Sequence, residues 1–301
     1  MAQDVDPFAP HLKWRWGSIF FFLAVNLTAL IAAPYWAWTH GVSRPEAALF
    51  VFYVIATSLA ITVGYHRLYT HRSFDAAPAV HFLALFFGAA AFEQSAFKWA
   101  SQHRTHHRFV DTDRDPYNIQ RGFFYAHVGW ILFWKRVTDY ANVAELEKNA
   151  LVKHQHEHYR LWSIGAGVVL PVFIGGLTGH AMGAFLYAVA ARLFIVFHST
   201  FMINSFAHTF GSQPFDATSS ARDHWLGSVL TNGEGYHNYH HRFPVDYRNG
   251  VLWHHWDPGK WTIFCLSKLG LAYNLKRTAP ERIREARLET ARIFESRIKA
   301  A

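Results

Sequence analysis

Residues 79–97 read AVHFLALFFGAAAFEQSAF, and whether this run crosses a membrane decides how the rest of the chain is arranged. The run is mostly apolar, yet it carries His81, Glu93 and Gln94. Those groups are costly at bilayer depth and tolerable at an interface or against protein. Four other runs are cleaner. Residues 18–38 (SIFFFLAVNLTALIAAPYWAW), 47–65 (AALFVFYVIATSLAITVGY) and 161–179 (LWSIGAGVVLPVFIGGLTG) lack Asp, Glu, Lys and Arg, and 184–203 contain only Arg192. Each is long enough to span a hydrocarbon core of ~30 Å. Trp14, Trp16, Trp36 and Trp38 flank the first, where interfacial tryptophans collect. The expectation is a single all-α integral membrane domain over 1–301, built on two hairpins of membrane helices. Buried helices of a soluble α-protein are the alternative, but four charge-poor runs of this length are rare in soluble folds.

Charge sets the orientation. Apart from Arg44 and Arg192, every Lys and Arg precedes residue 18, lies between 66 and 160, or follows 208. The positive-inside rule puts those stretches, both termini included, in the cytoplasm. The net charge of +8 then reads as attraction to a membrane surface. No basic stretch is patterned like a nucleic-acid module. The single cysteine, Cys265, excludes an intramolecular disulfide and a thiolate metal cluster. MAQDVDPFAPHLKWRW lacks the pattern of a cleaved signal peptide, so the first helix is expected to stay as an anchor.

Three histidine blocks carry the chemistry: His66 and His71; His103, His106 and His107; His237, His240 and His241. Eight imidazoles exceed the four ligands of one tetrahedral zinc. Imidazole suits iron, copper, zinc and nickel, and the count implies two metal ions. The blocks constrain the topology. Helix two is expected to end at Tyr65, so His66 emerges on the cytoplasmic face, and the third block follows helix four on that face. Were 79–97 to span, His103 would be stranded across the membrane. The run is therefore expected to lie along or dip into the membrane, with 123–134 (FFYAHVGWILFW) a second interfacial helix under a cytosolic helical cap.

Spacing adds detail. H-x-x-H-H places three rings on one helical arc, giving two ligands to one metal and one to its neighbour. In H-x-x-x-x-H the two positions lie about 140° apart, which suits a helix fraying at the membrane surface. His208 shares a helix face with Asn204 at the exit of helix four, in a place suited to complete the centre; spacing alone leaves its role open. Glu234 and Asp223 are candidates to orient imidazoles, as are His127, His198 and His224 for hydrogen bonds around the centre. His154, His156 and His158 read as a solvated face, and His254 and His255 as interfacial. Alternating charges predict a solvated C-terminal helix over 279–300.

These motifs resemble those of the membrane fatty acyl-CoA Δ9 desaturases, the stearoyl-CoA desaturase-like family. The likeness runs from about residue 45 to 275 and rests on G-Y-H-R-L-Y-T-H-R-S-F at 64–74, H-R-T-H-H-R-F at 103–109 and D-P-Y-N at 115–118. It continues with R-G-F-F-Y-A-H-V-G-W at 121–130, N-S-F-A-H at 204–208 and G-E-G-Y-H-N-Y-H-H-R-F-P at 233–244. The resemblance implies four transmembrane helices, a cytosolic cap and two irons held by nine histidines. His66, His71, His103, His107 and His241 would bind one iron. His106, His208, His237 and His240 would bind the other, with Asn204 holding a water. Trp99 and Thr200 would line the bend of an acyl channel. Two departures stand out. Ser101 and Gln102 replace an arginine and an aspartate expected at the headgroup end, and Glu93 stands where the family has a glutamine near the bend.

The activity so implied is O2-dependent formation of a cis double bond, Δ9, in a saturated acyl chain. The substrate would be a fatty acyl thioester, acyl-CoA, or a lipid-linked acyl chain. Phe50 and Val54, one turn apart on helix two, are expected to wall the far end of the tunnel. No His-Pro-Gly-Gly haem signature occurs. Electrons would come from an external ferredoxin, or from a small b-type cytochrome with its reductase, docked on the basic face. The same metal centre would also serve an alkane or lipid hydroxylase. A histidine-rich metal or haem transporter is a reading of another class, but it places ligands within membrane helices rather than at their ends.

Overall fold

A computed structural model describes residues 11–135 and 137–300. The reading of a missing signal peptide falls largely on residues 1–10, outside the described residues. Four helices are long and apolar enough to cross a membrane: α1 (Trp16–His40), α2 (Arg44–Thr70), α7 (Tyr159–Leu177) and α8 (Ala181–His208). They coincide with the four predicted runs, each somewhat extended or shifted. The α1–α2 turn is written locally. Gly41 adopts a left-handed φ of 76°, and Ser43 and Glu46 then form a reciprocal capping box with proline in the first turn of α2.

Helix α2 does not fray at Tyr65. Its last eleven residues, Ala60–Thr70, continue as a fully buried π-helical stretch. The backbone N–H of His71 donates to His66 O at 3.1 Å, and the Thr70 hydroxyl to Tyr65 O at 2.8 Å, both five residues back. Close packing holds this stretch: a Cβ on Gly64 would meet the Ala84 Cβ at 2.6 Å.

The deciding run, 79–97, is two helices rather than one interfacial stretch. Helix α3 (Pro78–Ala90) has 13 residues. At 1.5 Å per residue it covers about 20 Å, too little to span. Arg192 closes its end. The buried guanidinium donates to Ala90 O, to Gly167 O at 2.8 Å and to Ala188 O at 3.0 Å. A sharp link follows, with Phe92 (φ 59°) and Gln94 (φ 78°) left-handed. Helix α4 (Ala96–Phe109) then starts at Ser95, whose hydroxyl accepts from the Lys98 N–H. The reversal returns the second histidine block to the side where His66 lies.

Helix α5 (123–132) starts where predicted, ends two residues short of 134, and packs Val128 and Leu132 against Val25 of α1 and Leu193, Phe197 and Phe201 of α8. The cap comprises α6 (Ala150–Glu157) before α7, then α9 (Trp225–Leu230), α10 (His237–Arg242), α11 (Pro258–Lys268) and α12 (Pro280–Ala300). Ala286 of α12 packs with Phe215, Tyr239 and Phe243. Among the described residues the only strands are two antiparallel two-residue ribbons. His11–Leu12 pairs with Trp134–Lys135, and Asp75–Ala76 pairs with Ala272–Tyr273.

Candidate metal centre

Helices α2, α4, α8 and α10 converge nine imidazoles into two groups. His66, His71, His103, His107 and His240 form one; His106, His208, His237 and His241 form the other. Within each group one nitrogen per ring lies within 4.8 Å of all the others. Contacts run Nε2 to Nε2. His66–His240 and His240–His107 are 3.0 Å, and His107–His103 is 3.1 Å. His237–His208 and His241–His237 are 3.0 Å.

The partition differs from the one the resemblance implied: His240 and His241 exchange places. The reason is helical phase. From the first histidine of H-x-x-H-H, the i+4 ring lies about 40° round the axis and the i+3 ring about 60° the other way. First and last therefore share a group, and the middle one crosses to the other. His103 and His107 pair while His106 crosses; His237 and His241 pair while His240 crosses. The His66–His71 pair is also resolved differently from a frayed end. In the π-helical turn residues five apart lie one turn apart, and the two rings have centroids 4.7 Å apart.

Either group fits a metal ion. The donors are all imidazole, the set that suits first-row transition metals. Burial first, then neighbouring imidazoles, hold His71, His103, His107, His237, His240 and His241 well below the ordinary imidazole range, leaving lone pairs free. The buried Nε2 of His71 has no hydrogen-bond partner, as expected of an atom awaiting a ligand bond.

Carboxylates stand behind the rings. Glu234 Oε2 lies 3.0 Å from His66 Nδ1. That oxygen also accepts from Asn249 Nδ2 at 2.6 Å, while Oε1 accepts from the Thr62 hydroxyl and, at 3.1 Å, from Arg67. Burial alone would raise this carboxyl, but the charges of His66 and Arg67 outweigh that and hold it at about 2. Asp115 Oδ1 lies 2.8 Å from His106 Nδ1. The D-P-Y-N motif contained this residue without disclosing its role. Asp223 touches no ligand. Its Oδ1 accepts the Asn238 and Tyr239 N–H groups at 2.8 and 3.1 Å and so caps α10. Burial pushes its carboxyl up to about 7.

A cavity of about 630 Å³ adjoins the centre, lined by His66, His103, Asn204 and Glu234. Phe21 and Phe22 of α1, Phe92, and Phe197 and Phe201 of α8 are part of its apolar lining. Within the lining Glu93 takes the Trp99 Nε1–H at 3.2 Å and the Thr200 hydroxyl at 2.7 Å. Trp99 in turn stacks on His103, with centroids 4.8 Å apart. Arg15, Lys98, Gln102 and Arg160 line the polar end.

Residues 43–263 match the fatty acid desaturase family. The chain belongs to that family. Across 88% of its length it is 42% identical to a Schizosaccharomyces pombe protein named "Probable acyl-CoA desaturase", covering 55% of that protein. It is 38% identical over 93% of its length to acyl-CoA desaturase 1 of Saccharomyces cerevisiae, covering 54% of it. Human stearoyl-CoA desaturase is 32% identical over 92% of the chain, with 78% of the human protein covered. The chain thus spans about half the length of the two yeast relatives.

The remaining expectations about this desaturase-family chain meet the structure unevenly. Phe50 and Val54 do not line the cavity. On α2 its lining consists of Ile61, Thr62 and His66, all nearer the C-terminal end of that helix. His127 and His198 bond to each other at 3.0 Å rather than to a ligand ring, and His224 caps α9. His154 and His158 stack on the cap surface, and His156 meets Ser95. Ser101, fully buried, donates to Asp139 O at 2.6 Å and does not face the cavity; Gln102 does.

Proposed function

We propose that this chain is an O2-dependent fatty acyl-CoA desaturase that places a cis double bond, Δ9, in a saturated acyl chain. Nine histidines would hold two irons: His66, His71, His103, His107 and His240 on one, His106, His208, His237 and His241 on the other, with Asn204 positioning a water. The observation that carries the reading is a largely apolar cavity whose lining includes Glu93, Trp99 and Thr200 and reaches His66 and His103 of the five-ring group. A saturated chain offers no polar handle, so selectivity has to be geometric: a bend at Glu93, Trp99 and Thr200 would hold one C–C bond at the centre.

Bound iron would supply the oxidising power, with one O2, two protons and two external electrons consumed per double bond and two waters formed. The protein's own residues do the rest. Glu234 and Asp115 orient His66 and His106. Phe21, Phe22, Phe197 and Phe201 enclose the chain and exclude water. Arg15, Lys98 and Arg160 offer cations for the phosphates of a CoA headgroup, taking the part that Ser101 and Gln102 do not. The names of the curated relatives support the CoA carrier. The distribution of Lys and Arg supports a cytoplasmic centre and cytoplasmic termini within one domain. A basic cytosolic face suits an acidic ferredoxin or small b-type cytochrome as donor.

Expression in a host lacking unsaturated fatty acids, with mass-spectrometric location of the double bond, tests the proposal. A new cis-Δ9 alkene is expected. An alcohol points to a hydroxylase, and no new alkene in iron-loaded protein overturns the reading.

A further inference from the structure

We propose that Ser220 and Asp111 are positioning residues that fix the His208 ring as an Nε2 ligand and yoke it to His106. The inference rests on the metal-centre reading above. His208 Nδ1 lies 2.7 Å from Ser220 Oγ, and Ser220 Oγ lies 2.5 Å from Asp111 Oδ1. The Ser220 backbone N–H donates to the other oxygen, Asp111 Oδ2, at 2.7 Å. Counting protons settles the tautomer. A carboxylate only accepts, so the single hydroxyl proton of Ser220 goes to Asp111. Ser220 Oγ must then accept from His208, which puts the ring proton on Nδ1. Nε2 is left bare, and it points at His237 Nε2, 3.0 Å away.

Asp111 serves a second ligand as well. Its backbone N–H donates to Asp115 Oδ2 at 3.2 Å, while Asp115 Oδ1 meets His106 Nδ1 at 2.8 Å. One short turn after α4 thus braces two of the four rings in this group, one through a carboxylate and one through a hydroxyl. The backbone geometry is unusual: Asp111 sits at φ 64°, a left-handed conformation that non-glycine residues seldom hold. Such strain persists where surrounding bonds over-determine it. In the five-ring group the corresponding brace is Glu234 on His66, direct and independent of this turn.

The test measures metal content and chelator-driven metal release in purified protein, with melting temperature as a check on folding. Ser220→Ala is expected to weaken one metal position about 10–100-fold, lowering the content from two ions per chain toward one. Ser220→Thr, which keeps the hydroxyl, should restore it. Asp111→Asn tolerates the left-handed backbone but replaces one of the two acceptor oxygens by an NH2 donor, so the Ser220 hydroxyl and N–H can no longer both be met and it should weaken the position in the same sense as Ser220→Ala. Wild-type metal content and release rate in both Ser220→Ala and Asp111→Asn overturn the proposal. So does equal loss in Ser220→Ala and Ser220→Thr with a lowered melting temperature, which marks a purely structural role. Wild-type protein that binds no metal overturns the metal-centre reading itself, and this proposal with it.

Discussion

The backbone N–H of His71 donates to the carbonyl oxygen of His66, so two histidines five residues apart are joined across a single π-type turn. Their rings meet at 4.7 Å between centroids. An α-helix would have left them about 140° apart. The wider turn is held from outside by α3, whose Ala84 fills the space beside Gly64.

Gly64→Val should therefore disturb the centre without touching a ligand. Its first added carbon would meet Ala84 Cβ at 2.6 Å. Overpacking of this kind costs about 1–3 kcal/mol. A lower melting temperature together with reduced metal content is expected; unchanged values for both would show that α3 does not hold the turn.

Glu93 predicts a pH dependence. Burial raises its carboxyl to about 7, against the partial relief given by Thr200 and Trp99. A carboxyl raised on folding contributes stability that is full below its unfolded value, near 4.5, and lost as pH rises through about 7. Because Glu93 faces the cavity, the effect is of order 1–3 kcal/mol. Glu93→Gln should flatten the melting temperature between those pH values and leave the protein more stable at pH 8. A Gln variant with the wild-type pH profile would assign that dependence elsewhere.

Arg15 and Lys98 predict carrier selectivity. Each charge-assisted hydrogen bond to a phosphate is worth about 1.5–3 kcal/mol. Arg15→Ala or Lys98→Ala should raise KM for acyl-CoA about tenfold or more with kcat little changed. Raised salt should weaken wild-type binding in the same sense. KM values that stay at wild-type levels would argue for a carrier lacking phosphates at this mouth.

Glu234 and Asp223, equivalent candidates in the sequence, should separate. Glu234→Gln removes the charge behind His66 and is expected to lower metal affinity about 10–100-fold. Asp223→Asn weakens the cap of α10, costing about 1 kcal/mol, and should lower the melting temperature with a smaller effect on metal. Equal metal loss in the two variants would place both residues behind ligands.

The sequence by itself determined the class of the molecule. Four charge-poor runs required membrane helices, since nothing else of that length stays apolar, and three histidine blocks required one common face. That requirement, together with His81, Glu93 and Gln94 in the run, argued against 79–97 spanning. The triplet spacing also foretold two rings in one group and one in the next. What it left undecided was phase and reach. Which of His240 and His241 crosses to the neighbouring group depends on how α10 faces α4. The π-winding at His66 and His71 depends on α3 pressed against α2. Asp115 and Ser220 reach His106 and His208 from nine and twelve residues on, but Asp111 meets Ser220 only because the turn after α4 packs on a loop more than a hundred residues later. Phe50 and Val54 share a helix face with the right spacing, yet neither lines the cavity. Local pattern fixes which face of a helix is apolar or ligating; which neighbour that face meets is a property of packing, and only the tertiary structure decides it.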